Sequence, residues 1–496
     1  MVRTTRRSFL KTTAIAGAGF MVAAGNSPKV ARASALEGIA VASFGVGGKG
    51  ASDLGNASVY GKIVALCDVD KNTLDGAAAN FPDAKKFVDF RDAFAEMSDK
   101  FDACTISTPD HMHTVITAMA IKAKKHCYTQ KPLTRTIYEA RYLGNLAKEA
   151  GVCTQMGNQG SSFDSMRKIV AEVKAGLLGD IKEVHVWTNR PVWPQGPNRD
   201  LTIEKFAKQI QEEDPDIAED EIAEKKQQIA KALETLDWDL WLGTAPYREF
   251  WPGIYHSFSW RGWWDFGTGS LGDMACHTAN MPFAACDLRN PTSVVAESSG
   301  HDFNSLPASC KILFQFPAND WRSAIPFTWY DSKVQPPAAL FDKYGIGKGD
   351  VPSTSSGSLI VGERGVVYSP DDYAANYFVL QEGGERLPEM DTEFRAAPTD
   401  DKSGNFDTRN QLEWFTAMKE NKPELCWSNF PNHAGPLTET ILLGNLAVWA
   451  APEAGKQGEN VEWDAVNLKV TNLDQLKTPG VAELVHPKYR EGYEQI

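Results

Sequence analysis

Gly38–Phe44, "GIAVASF", runs directly into Gly45–Gly50, "GVGGKG", and then into a helical pattern. A short apolar strand, a G-x-G-x-x-G turn and a helix, in that order, are the opening of a dinucleotide-binding βαβ unit. In such a loop Gly45 allows the tight turn, Gly47 lets backbone approach a pyrophosphate, and Gly50 lets helix pack on strand. Glycines alone are a weak signal, so the segments that follow decide.

The next strand, "KIVALCDVD" (62–70), carries Asp68 23 positions beyond Gly45. That is near the spacing at which a carboxylate accepts hydrogen bonds from the adenine ribose, and an acid there repels a 2'-phosphate. NAD is therefore expected as cofactor, in preference to NADP. A further strand, "DACTIST" (102–108), delivers Thr108, Pro109 and Asp110 to its carboxyl end, where doubly wound folds hold ligands, and His113 starts a helix. "HCYTQKP" (126–132) brings Gln130 and Lys131 to the next strand end. The cofactor contacts expected are Gly45, Gly47, Gly48, Gly50, Asp68, Thr108, Pro109, Asp110, His113, Gln130 and Lys131. His111 and His113 form an H-x-H pair, but with no third ligand at a helpful spacing no metal is expected.

A second constellation lies in "GTGSLGDMACH" (267–277). On a helix Asp273 and His277 are i and i+4 and share a face. With Lys131 they form a candidate catalytic set: His277 as general base, Lys131 stabilising a developing alkoxide, Asp273 orienting the hydroxyl. The preceding block is aromatic-rich. Tyr255, Trp260, Trp263, Trp264 and Phe266, interleaved with His256, Arg261 and Asp265, suit either an ordinary core or a sugar-stacking wall. His256, Trp260, Arg261 and Trp264 are the expected substrate contacts.

The motifs "GVGGKG", "ALCDVD", "STPDHMH", "QKP" and "GTGSLGDMACH" together resemble the glucose-fructose oxidoreductase / inositol dehydrogenase / MocA family, over nearly all of the chain beyond its leader. The resemblance implies an α/β N-terminal Rossmann domain with a doubly wound parallel sheet, followed by an α+β C-terminal domain with an open, mainly antiparallel sheet. It also implies the same Lys131, Asp273 and His277 trio, and homo-oligomer contacts through the outer face of the second sheet. The family's lysine motif is usually E-K-P. Here position 130 is glutamine, which removes a charge but keeps the lysine.

Beyond about Gly157 the patterns are those of the second domain: an amphipathic helix in "SSFDSMRKIVAEVKAGLLGDI", then strands in "KEVHVWTNR", "TSVVAESS", "ASCKILFQF", "SAIPFTWYD" and "GSLIVGERGVVYSP". Glu204–Lys231, with nine acids and five lysines, reads as a solvated helical insertion at about 200–232. "GPLTETILLGNLAVWA" is an apolar helix, with His433 before it expected as a cap or surface residue in preference to one that approaches the pocket. The domains expected are thus 36–156 for the dinucleotide and 157–496 for substrate and oligomer contacts.

Ahead of them, "TRRSFLKTTAIAGAGFMVAAGNSPKVARAS" has the paired arginines, weakly apolar stretch and A-x-A site of a twin-arginine signal, residues 1–33. Export to the periplasm or medium through the Tat translocase is expected, with no membrane anchor after cleavage. Cleavage would remove six basic residues and no acid, taking the net charge from −13 to −19, which disfavours nucleic acid as a partner. The eight cysteines contain no C-x-x-C pair and read as free core thiols; spacing leaves a Cys276–Cys286 bridge open.

The function expected is an exported NAD-dependent oxidoreductase acting on a sugar or polyol. One alternative is a redox-neutral glycoside hydrolase or lyase that uses bound NAD, and another is a non-catalytic sugar-binding protein. Retention of Lys131, Asp273 and His277 together argues against the last.

Overall fold

The computed structural model describes residues 38–402 and 404–493; the expected signal segment lies outside them. Among the described residues the first sheet has six parallel strands: β1 (Ala40–Phe44), β2 (Lys62–Cys67), β3 (Lys85–Phe87), β4 (Ala103–Ile106), β5 (His126–Thr129) and β6 (Thr154–Met156). Their order is β3-β2-β1-β4-β5-β6, the doubly wound arrangement. β1 and β4 are buried almost throughout because helices cover both faces, which is why they read as continuous apolar runs. β3 has no sequence signal: it is three residues long, and Lys85 and Lys86 are exposed.

The second sheet is mixed and mostly antiparallel. It contains β7 (Ile181–Trp187), β8 (Ser293–Ser298), β9 (Cys310–Phe316), β10 (Ile325–Tyr330), β11 (Gly357–Gly362), β12 (Val366–Ser369), β13 (Phe378–Leu380), β14 (Val461–Asp464) and β15 (Lys469–Val470). The order is β13-β12-β11-β7-β10-β9-β8-β14-β15, with β7 and β10 as the parallel pair. The Pro/Gly/Ser-rich segment between β10 and β11 lays Tyr344, Ile346 and Val351 against Trp187 and Tyr368 of this sheet.

Four helices position the site: α1 (Lys49–Ser58), α2 (Asp110–Lys122), α3 (Gly269–Thr278) and α4 (Phe406–Glu420). The charged insertion forms two helices, Ile203–Glu213 and Ala218–Leu233, with mostly exposed residues. Their apolar side chains, including Phe206 and Ile229, pack onto a separate aromatic cluster of Trp238, Trp241, Tyr255, Trp260, Trp263 and Phe266.

That cluster decides the fate of the aromatic block. Tyr255, Trp263 and Phe266 are at most 1% exposed and meet edge-to-face at 4.8–5.4 Å. They are core, and the stacking-wall reading falls: the covering helices give these rings a dry side that composition alone does not reveal. The cluster is joined to the turn after β2, where Lys71 N donates to Thr235 O and Asp237 N to Val69 O, both at 2.9 Å.

All eight cysteines are buried free thiols, Cys276 and Cys286 included. His433 is neither cap nor surface residue; it is buried, with Nε2 2.7 Å from Asn280 Oδ1. No described helix is long and apolar enough to cross a membrane.

Candidate active site

The loop after β1 turns at Gly45, whose φ of +75° is a left-handed conformation suited to glycine. A Cβ on Gly45 would sit 2.8 Å from the Ser107 carbonyl group, and one on Gly50 only 2.0 Å from Gly45 O. Gly47 lies against Thr73, and Gly48 is the N-cap of α1 with no side-chain capping bond. The first turn of α1 therefore offers backbone N–H groups to an anion, with no acidic side chain to repel it. This cradle fits the pyrophosphate of NAD. Replacing Gly50 by alanine should abolish NADH binding in a fluorescence titration, because the methyl and the Gly45 carbonyl cannot share that space.

Asp68, just past the end of β2, accepts from Val46 N at 2.9 Å and from Asp70 N at 3.0 Å. Burial pushes its carboxyl pKa up, and these N–H bonds oppose that. The carboxylate thus braces the glycine loop, and each oxygen keeps lone-pair capacity for a ribose hydroxyl.

At the end of β4, Pro109 is the N-cap of α2 and Asp110 opens the helix. Asp110 is buried and accepts from Thr268 Oγ1 at 2.7 Å. Burial pushes its carboxyl up to about 7, against the Thr268 bond and the charges of Arg261 and Lys131. Thr268 is the N-cap of α3, so Asp110 ties the first sheet to the helix that bears Asp273 and His277. His113 corrects an expectation. It is 1% exposed, its ring nitrogens lie 2.7 Å from Thr108 O and 2.8 Å from Pro132 O, and it ties the ends of β4 and β5 together beneath the crevice. Burial lowers its pKa to about 4, and the contacts with the two carbonyls oppose that. His111 is held likewise, by the carbonyl of Trp241.

Lys131 crosses to α3. Its Nζ donates to Asp273 Oδ1 at 2.8 Å and to Asp273 O at 2.7 Å. Burial alone would raise the Asp273 pKa, but the Lys131 ammonium and the Arg261 guanidinium overcome it and hold the carboxyl at about 2. Asp273 is therefore fully ionised at neutral pH, and its place is beside the lysine. His277, one turn along, is 6% exposed, and its ring meets that of Tyr373 edge-on at 4.9 Å. Burial, reinforced by the Lys131 charge, holds the imidazole well below its usual pKa, with Asp273 opposing. The ring is neutral at pH 7 and able to accept a proton.

The expected substrate residues separate. Arg261 belongs to the site: its Nε lies 3.4 Å from Asp273 Oδ1, and its guanidinium rests on Trp260 at 4.3 Å and Phe258 at 4.7 Å. Trp260 thus supports the arginine. Trp264 turns elsewhere, packing on Trp449 at 5.1 Å and His301 at 5.7 Å. His256 stands 3.9 Å from Asp70 Oδ2, beside the turn after β2.

Tyr373 and Arg190 are residues the sequence did not announce. Arg190 follows β7 and its charge reaches both His277 and Tyr373. Tyr373 comes from the loop after β12, and neither lies in a recognisable motif.

Residues 12–158 match the family model described as "Oxidoreductase family, NAD-binding Rossmann fold", and residues 221–317 match the C-terminal alpha/beta domain of the same family. Two curated proteins are similar in part. A glycosyl hydrolase family 109 protein of Saccharopolyspora erythraea is 30% identical over 202 residues, 36% of this chain and 44% of that protein. The 2,7-anhydro-N-acetylneuraminate hydratase of Escherichia coli is 29% identical over 108 residues, 22% of this chain and 28% of that protein. The chain thus spans less than half the length of these curated relatives. Among solved structures, the WlbA dehydrogenase of Bordetella pertussis, in complex with NADH and UDP-GlcNAcA, superposes with a TM-score of 0.52 at 15% identity, covering 86% of this chain and 99% of that one. An inositol dehydrogenase homolog of Azotobacter vinelandii, complexed with NAD+, gives 0.52 at 14% identity, covering 86% and 97%. At such identities the likeness is one of fold. With a model of each of its two domains matched in order, the chain belongs to the Gfo/Idh/MocA oxidoreductase family and carries that family's NAD-binding Rossmann fold.

Proposed function

We propose that this chain is an exported NAD-dependent oxidoreductase that oxidises a secondary alcohol of a sugar or polyol and keeps its cofactor bound. The observation that carries this reading is the contact of Lys131 Nζ with Asp273 Oδ1 at 2.8 Å, with His277 one turn further along α3. When bound, NAD supplies the acceptor for the hydride that leaves the carbinol carbon. His277, neutral and buried, takes the hydroxyl proton, and the Lys131 ammonium stabilises the charge that develops on that oxygen. Asp273 fixes Lys131 through its carboxylate and its backbone carbonyl. Gly45, Gly47, Gly48, Gly50 and Asp68 would hold the nucleotide.

The domain boundaries proposed are 36–156 and 157–496, with the insertion at about 200–232, and residues 1–33 as the export signal. Outside the cytoplasm no replenished NAD pool is expected, so a retained cofactor must be regenerated in place. Two paired half-reactions on different sugars would do this. So would a redox-neutral cycle in which oxidation activates a glycoside for elimination and the same cofactor then returns the hydride. The second route is favoured by the similarity to a glycosyl hydrolase family 109 protein and to an anhydro-sugar hydratase.

Acid denaturation of mature protein recovered from outside the cytoplasm should release close to stoichiometric NAD. Incubation with sugars and glycosides, without added NAD, should then give keto-sugars for the first route and cleaved glycosides for the second. Cofactor-free protein that binds NAD weakly would overturn the retained-cofactor reading.

A further inference from the structure

Gln130 departs from the usual E-K-P, and its surroundings explain the departure. Its Nε2 donates to Asp53 Oδ2 at 2.8 Å, and its Oε1 accepts from Lys131 N at 3.3 Å. Gly157 leaves the space: a Cβ there would lie 2.5 Å from Gln130 Nε2. Asp53 is 1% exposed, in α1 immediately behind the glycine loop. Its Oδ2 also accepts from Ser107 Oγ at 2.8 Å, and its Oδ1 lies 3.3 Å from Lys49 Nζ. Lys49 in turn bonds Asp407 of α4 at 3.1 Å, and Gln411 of α4 donates to Asp53 O at 3.0 Å. One buried carboxylate thus joins the helix of the glycine loop, the end of β4 and the end of β5, the three segments that border the crevice.

We propose that Asp53 is a positioning residue of the cofactor crevice, holding these three segments in register, and that Gln130 is an amide because its partner already carries the negative charge. This rests on the reading of the crevice as the NAD site. The charged and titratable groups facing Asp53 are Lys49 on its own helix, Asp407 from α4 and Tyr128 from β5. The cation of Lys49 is shared with Asp407, so it cannot fully offset a second carboxylate at position 130. Two carboxylates in contact share a proton: at low pH one is neutral and donates to the other, and at high pH both ionise and repel.

The test uses the full chain loaded with NADH, with release of the cofactor into excess NAD+ followed by fluorescence. Gln130→Glu should release NADH about tenfold faster than wild type near pH 8.5, with the gap closing toward about pH 6. Asp53→Asn should release it faster at both pH values, because no carboxylate remains to gather the donors. Asp53→Asn combined with Gln130→Glu restores one carboxylate facing one amide, and should return release to within about threefold of wild type with no pH dependence. A double variant that releases NADH no more slowly than either single variant would overturn the proposal, as would Gln130→Glu behaving like wild type at both pH values. If Gln130→Glu does not fold, the comparison of Asp53→Asn with the double variant still decides. Wild-type protein that takes up no NADH would instead remove the underlying NAD-site reading.

Discussion

Replacing Lys131 by methionine should lower kcat/KM by about a thousandfold, the scale expected when a cation placed against a developing oxyanion is lost. Methionine matches the length and flexibility of the lysine stem, so the crevice stays filled. What disappears is the ammonium that bonds both Asp273 Oδ1 and Asp273 O. Asp273 would keep only Arg261 Nε at 3.4 Å, and its carboxyl pKa would move upward from about 2. The affinity for NADH, measured by fluorescence titration, should stay within about threefold of wild type, since the glycine loop is untouched. A variant that retains substantial turnover would show that the alkoxide is stabilised by another group.

His277→Ala should cost between about a hundredfold and ten-thousandfold in turnover, again with NADH still bound. The pH profile supplies a second check. Burial first, and then the charge of Lys131, lower the imidazole pKa well below its ordinary 6.5. The base form is the active form, so the acid limb of kcat/KM in wild type should fall below pH 6.5, and activity should persist into mildly acidic solution. An acid limb above 6.5 would contradict the assignment of His277 as the base. If the alanine variant loses the cofactor along with turnover, His277 supports the nucleotide and the proton-transfer role is unsupported.

The two halves of the molecule differ in how much of this the sequence discloses. The glycine loop, Asp68 and the Asp273/His277 pair are legible because their geometry follows from one continuous segment: a turn, a strand end, one helical turn. Lys131 is legible because strand ends in a parallel sheet converge on one edge. Asp53 is not, since its partner Gln130 lies 77 positions away and an aspartate four residues past Lys49 reads as an exposed helix face. Tyr373 and Arg190 come from loops whose path is set by the second sheet, so nothing local marks them. The aromatic block fails for another reason. A sugar platform and a packed core use the same residue types, and only the seating of the two charged helices on that cluster separates them. His113 shows the converse, because position in a motif suggested ligand contact while burial assigned it to holding two loops.

The buried cysteines have a consequence of their own. All eight thiols lie within the folded body, and those at 104, 127, 276 and 286 have no exposure at all. Burial pushes their pKa values upward, so the thiolate, the form that reacts, is scarce as well as shielded. In an oxidising compartment the native chain therefore offers almost no thiol to oxidants, while an opened chain has eight reactive thiols. Thiol modification becomes a record of unfolding: an unmodified molecule is one that has stayed shut since it was made.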